Sequence, residues 1–386
     1  MASVTALDHG SVGRLPATNP QSTLATFLAQ VDVRIDGSRP WDILVHHPRL
    51  SQRVLMQGSL GAGEAYMDGW WDCERLDEML TRALSGNLDG RFARLHELWS
   101  ALVAFMSNAQ TRRRAFQVGE RHYDIGDDLY AAMLDERMIY SCGYWQHAST
   151  LEAAQTDKLD LVCRKLALRP GMRVLDIGCG WGGAAQFAAE RYGVEVIGVT
   201  VSRNQALAAK TRCRGLPVTV LLADYRDLEG KFDCIYSLGM FEHVGPRNYG
   251  NFFRKIRSLL TPDGLFLLHT IGSNWSSNST DPWIGRYIFP NSVLPSLAQI
   301  ARALEPRWVV EDWHSFGADY DRTLMAWLNR FEGNWSTIAA GYSERFRRMW
   351  RYYLAVGAAS FRVRRNQLWQ LVLSPNGVPG GYPEIR

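Results

Sequence analysis

From Arg173 onward, short apolar runs alternate with segments whose apolar residues recur every three or four positions. The runs Arg173–Asp176, Glu195–Val199, Val218–Leu222, Phe232–Ser237 and Gly264–Thr270 are predicted strands, and Gly182–Tyr192, Arg203–Cys213 and Tyr249–Leu260 predicted helices. That rhythm predicts an α/β fold with a doubly wound, mostly parallel sheet. Trp308–Trp313 and Gln367–Leu373 are β-rich, with a long helical stretch between them, and are expected to add an antiparallel edge hairpin. Upstream, helix-like Thr23–Gln30 leads into the alternating Val31–Ile35, with a turn at Asp36-Gly37. Trp41–Val45, the glycine-rich Gly58–Gly63 and Asp68–Trp71 follow, and together they predict a small N-terminal α+β domain. The expected boundaries are a disordered leader over 1–23, the α+β domain over 24–107, a polar, basic linker over 108–114 and the main domain over 115–386.

Composition narrows the classes. The 386 residues are 46% hydrophobic and 21% charged, which supports a buried core without covalent staples. A net charge of +4 suits an anionic surface and does not point to nucleic acid. The six cysteines show neither a C-x-x-C pair nor zinc-ligand spacing, so neither disulfides nor a metal is expected. Free thiols point to a reducing, cytoplasmic setting. The N-terminus lacks the pattern of a secretory signal, and no apolar run approaches the ~18 residues of a membrane span.

The densest local motif is Val174-Leu175-Asp176-Ile177-Gly178-Cys179-Gly180-Trp181-Gly182-Gly183, an apolar strand running through an acidic residue into glycines that open a helix. Such glycines let backbone approach a nucleotide-like ligand closely. Asp176, just before the first glycine, suits an ammonium or ribose group and would repel a pyrophosphate. A dinucleotide site also wants an acidic residue at the end of the second strand, where this chain has Thr200. The motif therefore favours S-adenosylmethionine over NAD or FAD. Thr200 and Gln205 are placed to bond a ribose, and Asp224 and Tyr225 to meet an adenine.

Further motifs extend from Val118 to Leu373. They include His122-Tyr123-Asp124-Ile125-Gly126, Tyr140-Ser141-Cys142-Gly143-Tyr144-Trp145 and Leu151-Glu152-Ala153-Ala154-Gln155. Gly239-Met240-Phe241-Glu242-His243-Val244-Gly245, His269-Thr270-Ile271-Gly272, Tyr287-Ile288-Phe289-Pro290 and Phe316-Gly317-Ala318-Asp319-Tyr320 complete the set. On these residues the chain resembles the cyclopropane-fatty-acyl-phospholipid synthase family, and Gly61 to Trp71 is similar to the N-terminal domain of its bacterial, phospholipid-acting branch. The resemblance implies a class I, Rossmann-like methyltransferase fold with S-adenosylmethionine as donor. The implied reaction turns cis double bonds of phospholipid acyl chains into cyclopropane rings. It also implies a homodimer, donor contacts at Tyr140, Ser141, Asp176, Gly178 and Gly180, and a bicarbonate general base. The bicarbonate is expected to be held by Cys142, Glu242, His269, the Ile271 backbone and Tyr320. Some members carry a cysteine in the late helix; this chain has Gly357 there, to which a packing role is assigned.

The chemistry fits those residue types. An alkene is a poor nucleophile, so the methyl group must be held in line about 3–3.5 Å away. The resulting carbocation must be kept from water and is steadied by aromatic faces. Glu242, His269 and Tyr320 come from separate strand-end loops; either one side chain is the base or a bicarbonate held among them is. Tyr144, Phe241, His243, Tyr287 and Phe289 are expected to meet the acyl chain, and 274–290 to wall its tunnel. Membrane contact is expected to be peripheral. A helix at 345–354 is expected to pack its apolar face on the sheet with a solvated basic back; the alternative is that this back, with Arg112–Arg114, is drawn to anionic headgroups. That helix has Phe346, Met349, Trp350, Tyr353 and Leu354 on one face and Arg345, Arg348 and Tyr352 on another. The Gly58–Gly63 stretch is expected to be a mobile loop. The rival readings are a methyl-branching or hydroxylating relative, a small-amine N-methyltransferase, and a lipid-binding protein with a dead cofactor site.

Overall fold

The computed structural model describes residues 20–88, 126–305 and 307–386. Residues 1–19, the linker with Arg112–Arg114, and His122 to Ile125 lie outside the described residues.

The N-terminal unit begins with α1 (Pro20–Ala29), which starts inside the stretch expected to be leader. Strand β1 (Leu44–Val45) pairs antiparallel with β2 (Trp71–Asp72), flanking α2 (Leu50–Met67), and α3 (Leu76–Ser85) follows. The alternating Val31–Ile35 is not a strand. Asp32 and Asp36 turn the chain with φ of 56° and 51°, and Ile35 makes a single bridge to Ile43. The buried Asp42 carboxylate holds this turn, accepting from the Arg34 and Arg39 N–H groups at 2.8 and 3.1 Å. Local side-chain-to-backbone bonds here outcompete the ladder that the alternation suggested.

Gly58–Gly63 is likewise not a loop. It lies inside α2, kinked at Gly58, whose φ of 56° and ψ of −133° interrupt the helix. The glycines serve close packing: a Cβ at Gly63 would sit 2.4 Å from Trp283 Cδ1.

The main domain comprises α4 (Asp127–Met133), α5 (Leu151–Lys165), β3 (Arg173–Ile177), α6 (Gly183–Tyr192), β4 (Glu195–Thr200), α7 (Arg203–Arg212) and β5 (Val218–Leu222). It continues with β6 (Phe232–Leu238), α8 (Tyr249–Leu259), β7 (Leu260–Ser273), α9 (Pro282–Tyr287) and α10 (Leu297–Leu304). Strand β8 (Val309–Ser315), α11 (Ala318–Ile338), α12 (Glu344–Arg362) and β9 (Asn366–Ser374) complete it. Among the described residues the main sheet has seven strands in the order β5-β4-β3-β6-β7-β9-β8. The first five run parallel, and β9 pairs antiparallel with both β7 and β8. Helices cover both faces, so Val174, Leu175, Val196, Ile235 and Leu267 are all fully buried. The chain leaves β3 for β4 on one side and returns to β6 on the other. That reversal opens a crevice at the carboxyl ends of β3 and β6, where ligands of such sheets bind. No helix among the described residues is long and apolar enough to cross a membrane.

Helix α12 buries Trp350, Tyr353 and Leu354 as the periodicity predicts. Its basic face is only partly solvated: Arg345 stays exposed while Arg348 is largely covered. Arg345 pairs with Asp68 at 2.9 Å; Arg348 pairs with Asp72 at 2.7 Å and donates to the Tyr66 and Trp71 carbonyls. These arginines attach the N-terminal unit to the main domain, a use that periodicity on one helix cannot reveal. Gly357 packs on Leu324, where a Cβ would stand 3.2 Å from a methyl carbon.

The insertion after β7 also turns toward the N-terminal unit. Trp283 of α9 is buried against Gly63 and Met67 and lies 4.7 Å, ring to ring, from Tyr352.

Candidate active site

A cavity of about 210 Å³ opens at the carboxyl edge of β3, β4 and β6. Its floor is the glycine turn. Gly178, Gly180 and Gly182 take φ of 84°, 53° and 82°, a left-handed path that residues with a Cβ rarely follow. The N–H groups of Gly178 and Cys179 both donate to Val199 O, at 2.9 and 3.0 Å, which pins the turn to β4. Tyr140, Ser141, Asp176, Gly178, Gly180, Thr200, Gln205, Asp224 and Tyr225 all line this cavity. Thr200 Oγ1 donates to Gln205 Oε1 at 2.9 Å, and Arg226 Nε donates to Asp224 Oδ1 at 2.8 Å. Asp176 is buried, and its Oδ2 has no hydrogen-bond partner among the described residues. Burial raises its pKa to about 7, while the Tyr236 hydroxyl and the Lys158 ammonium draw it down.

The Tyr140–Trp145 loop forms the next wall. Gln155 Nε2 donates to Ser141 O at 2.8 Å, and Tyr140 and Tyr353 share a 2.8 Å hydroxyl bond. Cys142 is fully buried, and its thiol donates to Gly143 O at 3.1 Å. Burial pushes that thiol well above its usual range, so it is neutral and a poor nucleophile.

Behind the loop stands the polar cluster drawn from the strand tips. Glu242 follows β6 in a short 3₁₀ turn, and its Oε1 accepts the Ile271 N–H at 2.6 Å. Its Oε2 is buried with no partner among the described residues. Burial raises the carboxyl pKa, against the pull of backbone N–H groups, its own and that of Ile271. His269 sits in β7 opposite Gln370 of β9, whose Nε2 lies 3.4 Å from His269 Nδ1. With the amide in this orientation Nδ1 accepts, so the ring proton is on Nε2. That nitrogen is also buried without a partner among the described residues. Burial, then the charges of Lys158 and Lys165, hold His269 neutral. Tyr320 is in the first turn of α11, and its ring stacks on Phe361 at 4.5 Å. The preceding Gly317 abuts Leu368, the β9 residue that faces Ile271.

The Ile271 N–H and the Cys142 thiol, both expected to reach an anion, are thus engaged by protein groups. Glu242 Oε2, His269 Nε2 and Gln370 Oε1 are the buried polar atoms of this cluster without a partner among the described residues. Of the residues expected on the acyl chain, His243 lines the cavity and Phe289 packs against Tyr353 at 5.7 Å. Phe241 instead packs in the core with Tyr249, Phe252 and Phe253. Tyr144 meets His314 and Phe316, and Tyr287 donates to Glu64 of the N-terminal unit at 2.8 Å. His243 is neutral, with burial lowering its pKa to about 4.

The family model described as mycolic acid cyclopropane synthetase matches residues 110–371. The chain belongs to this family of S-adenosylmethionine-dependent methyltransferases. It is 53% identical over 362 residues to the cyclopropane-fatty-acyl-phospholipid synthase of Escherichia coli K12, covering 93% of this chain and 94% of the relative. The solved cyclopropane synthase MmaA2 from Mycobacterium tuberculosis superposes with a TM-score of 0.63 at 32% identity, over 67% of this chain and 97% of that one. Mycolic acid cyclopropane synthase CmaA1, solved with SAH and CTAB, gives a TM-score of 0.63 at 33% identity, with the same two shares covered. These matches make the class I methyltransferase fold a finding.

Sequence reasoning missed Lys158 in this family member. It is fully buried, and its Nζ donates to Ser141 Oγ at 2.8 Å. The available signal is its place one turn after Gln155, on the helix face that carries the quoted motif.

All six cysteines are buried. The native protein is therefore expected to leave a disulfide thiol reagent unconsumed at neutral pH and to titrate six thiols once denatured. Rapid reaction before denaturation would contradict the burial of Cys142.

Proposed function

We propose that this methyltransferase converts cis double bonds of unsaturated phospholipid acyl chains into cyclopropane rings. S-adenosylmethionine, when bound in the cavity at the glycine turn, supplies an electrophilic methyl group. Asp176 takes its ammonium end, Thr200 and Gln205 its ribose, and Asp224 and Tyr225 its adenine. The π electrons of the alkene form the new C–C bond, leaving a cation on the acyl chain. Removal of one proton from the added methyl frees a C–H electron pair that closes the ring. Aromatic faces of Tyr140 and Tyr320, both packed on the buried Trp327 at 5.2 and 6.1 Å between ring centres, steady the cation, each by ~0.5–2 kcal/mol. Tyr353 and Phe289 help keep water from trapping it as an alcohol.

The observation that carries this reading is the pair of unpartnered buried atoms, Glu242 Oε2 and His269 Nε2. Buried polar atoms without partners await a ligand that satisfies them. A small anion bearing one acidic hydrogen fits both: the His269 N–H donates to it and Glu242 accepts from it. Tyr320 and the Cys142–Ile271 surround complete the enclosure. Bicarbonate, when bound there, supplies the general base. The 53% identity to the Escherichia coli phospholipid-acting relative supports the substrate class over methyl branching. We infer further that the protein is cytoplasmic, homodimeric and peripheral to the membrane.

The test is incubation with monounsaturated phospholipid vesicles and S-adenosylmethionine, with the lipid followed by NMR. Expected is loss of alkene protons with matching gain of ring protons. Stripping carbon dioxide from the buffer is expected to slow turnover at least tenfold, and added bicarbonate to restore it. A new branched methyl signal would overturn ring formation; indifference to bicarbonate would overturn the assignment of the base.

A further inference from the structure

The Tyr140–Trp145 loop, which carries the cavity residues Tyr140 and Ser141, is strung between two helices. Helix α5 holds one side: Gln155 and Lys158 donate to Ser141 O and Oγ, both at 2.8 Å, and the Tyr144 N–H donates to Ala154 O at 2.9 Å. Helix α11 holds the other. The Gly143 N–H and the Trp145 indole N–H both donate to Thr323 Oγ1, at 3.1 and 2.8 Å. That hydroxyl donates in turn to Asp319 O, one turn earlier, at 2.9 Å. A hydroxyl has one hydrogen and two lone pairs, so Thr323 is saturated. The Cys142 thiol, 3.7 Å away, donates to Gly143 O instead. The same turn of α11 grips Trp145 at three further points. Asp319 Oδ2 accepts its N–H at 2.7 Å, and the Arg322 guanidinium donates to its carbonyl at 3.2 Å and lies 4.6 Å over its ring centre. Thr323 is fully buried, so removing its hydroxyl takes from two covered N–H donors the acceptor they have.

Tyr320 lies one turn before Thr323 on the same buried face of α11. Its ring centre is 6.1 Å from that of Trp327, on which Tyr140 packs at 5.2 Å. One turn of helix therefore sets both Tyr320, at the polar cluster, and the loop that walls the donor cavity. We propose that Thr323 is a positioning residue: its saturated hydroxyl locks the donor-side loop to the helix bearing Tyr320, and so fixes the donor methyl group relative to the base. This rests on the ring-forming reaction proposed above. Displacing reacting groups by about 1 Å can cost on the order of 10²-fold in rate, so slack in this lock is read in turnover.

The experiment compares wild type with Thr323→Val, Thr323→Ser and Arg322→Met in the full-length protein. Val keeps the shape and removes the hydroxyl, whereas Ser keeps the hydroxyl. Arg322→Met loosens the grip on the Trp145 carbonyl from an exposed position, where folding tolerates the change. Calorimetric titration with S-adenosylhomocysteine counts binding-competent sites, and turnover of monounsaturated phospholipid vesicles is expressed per site. Thr323→Val is expected to lower kcat per site by about tenfold or more while the lipid KM stays within about threefold. Arg322→Met is expected to lose about fivefold in kcat per site, and Thr323→Ser to stay within about twofold of wild type. A purely structural residue would change the number of competent sites and leave kcat per site alone. This inference alone is overturned by a wild-type kcat per site in Thr323→Val or by an equal loss in Thr323→Ser. Where Thr323→Val yields no competent sites, a wild-type kcat per site in Arg322→Met overturns it. A wild-type protein that binds no S-adenosylhomocysteine, or converts no vesicle lipid, overturns the reading of the site and this inference with it.

Discussion

Glu242→Gln is expected to lower kcat by about 10²- to 10⁴-fold while leaving S-adenosylhomocysteine binding within twofold of wild type. The substitution is close to isosteric. A Gln oxygen can still accept the Ile271 N–H that Glu242 Oε1 accepts at 2.6 Å, so the loop after β6 keeps its place. What changes is the second position. Oε2 is a buried acceptor without a partner among the described residues, and the amide puts two N–H donors there. Donors at that position reject any ligand that offers its own hydrogen there. Glu242 is outside the donor cavity, which is why binding is spared. Steady-state kinetics on vesicles together with calorimetry checks this. Normal turnover would remove Glu242 from the mechanism, whereas lost donor binding would mean a structural role.

Trp283→Ala is expected to destabilise the protein by about 3–5 kcal/mol, measured as the change in unfolding free energy in denaturant. The indole is fully buried between two parts of the chain. It rests on Gly63, sends Nε1 toward Met67 Sδ at 3.3 Å, and meets Tyr352 edge-on at 4.7 Å. Truncation leaves a cavity shared by α2, α9 and α12, and the surrounding ion pairs, Arg345–Asp68 and Arg286–Glu64, are too exposed to make up the loss. Cleavage by dilute protease between the N-terminal unit and the main domain should accelerate in step. A loss below about 1 kcal/mol would show that Trp283 is not a joint between them.

The parallel sheet was legible because each of its central strands is buried on both faces and so reads as an apolar run bounded by glycines, as at Val174–Ile177 and Phe232–Leu238. The donor turn was legible because three left-handed glycines in sequence have few other uses. Less visible were features decided by distant partners. Val31–Ile35 alternates as a strand does, yet Asp42, well outside the run, fixes it as a turn. Gly58–Gly63 resembles a loop until Trp283, more than two hundred residues on, fills the groove it leaves. Arg345 and Arg348 read as a solvated basic face because their carboxylate partners lie in another unit. Lys158 escaped notice for a related reason: a lone lysine in a helix ordinarily points to water, and only the fold places Ser141 above it. Among the site residues expected in strand-end loops, Glu242 does follow β6, but His269 lies within β7 and Tyr320 in the first turn of α11, and strand-end position could not show that the Ile271 N–H serves Glu242.

The proposed reaction passes through a cation on the acyl chain that loses one hydrogen of the newly added methyl. Turnover with donor carrying a fully deuterated methyl group, followed by mass spectrometry and NMR of the lipid, tests this most directly. The prediction is a ring methylene that retains two of the three deuterium atoms, the third having passed to the base held by Glu242 and His269. Retention of all three in a methyl branch, or in an alcohol, would contradict it.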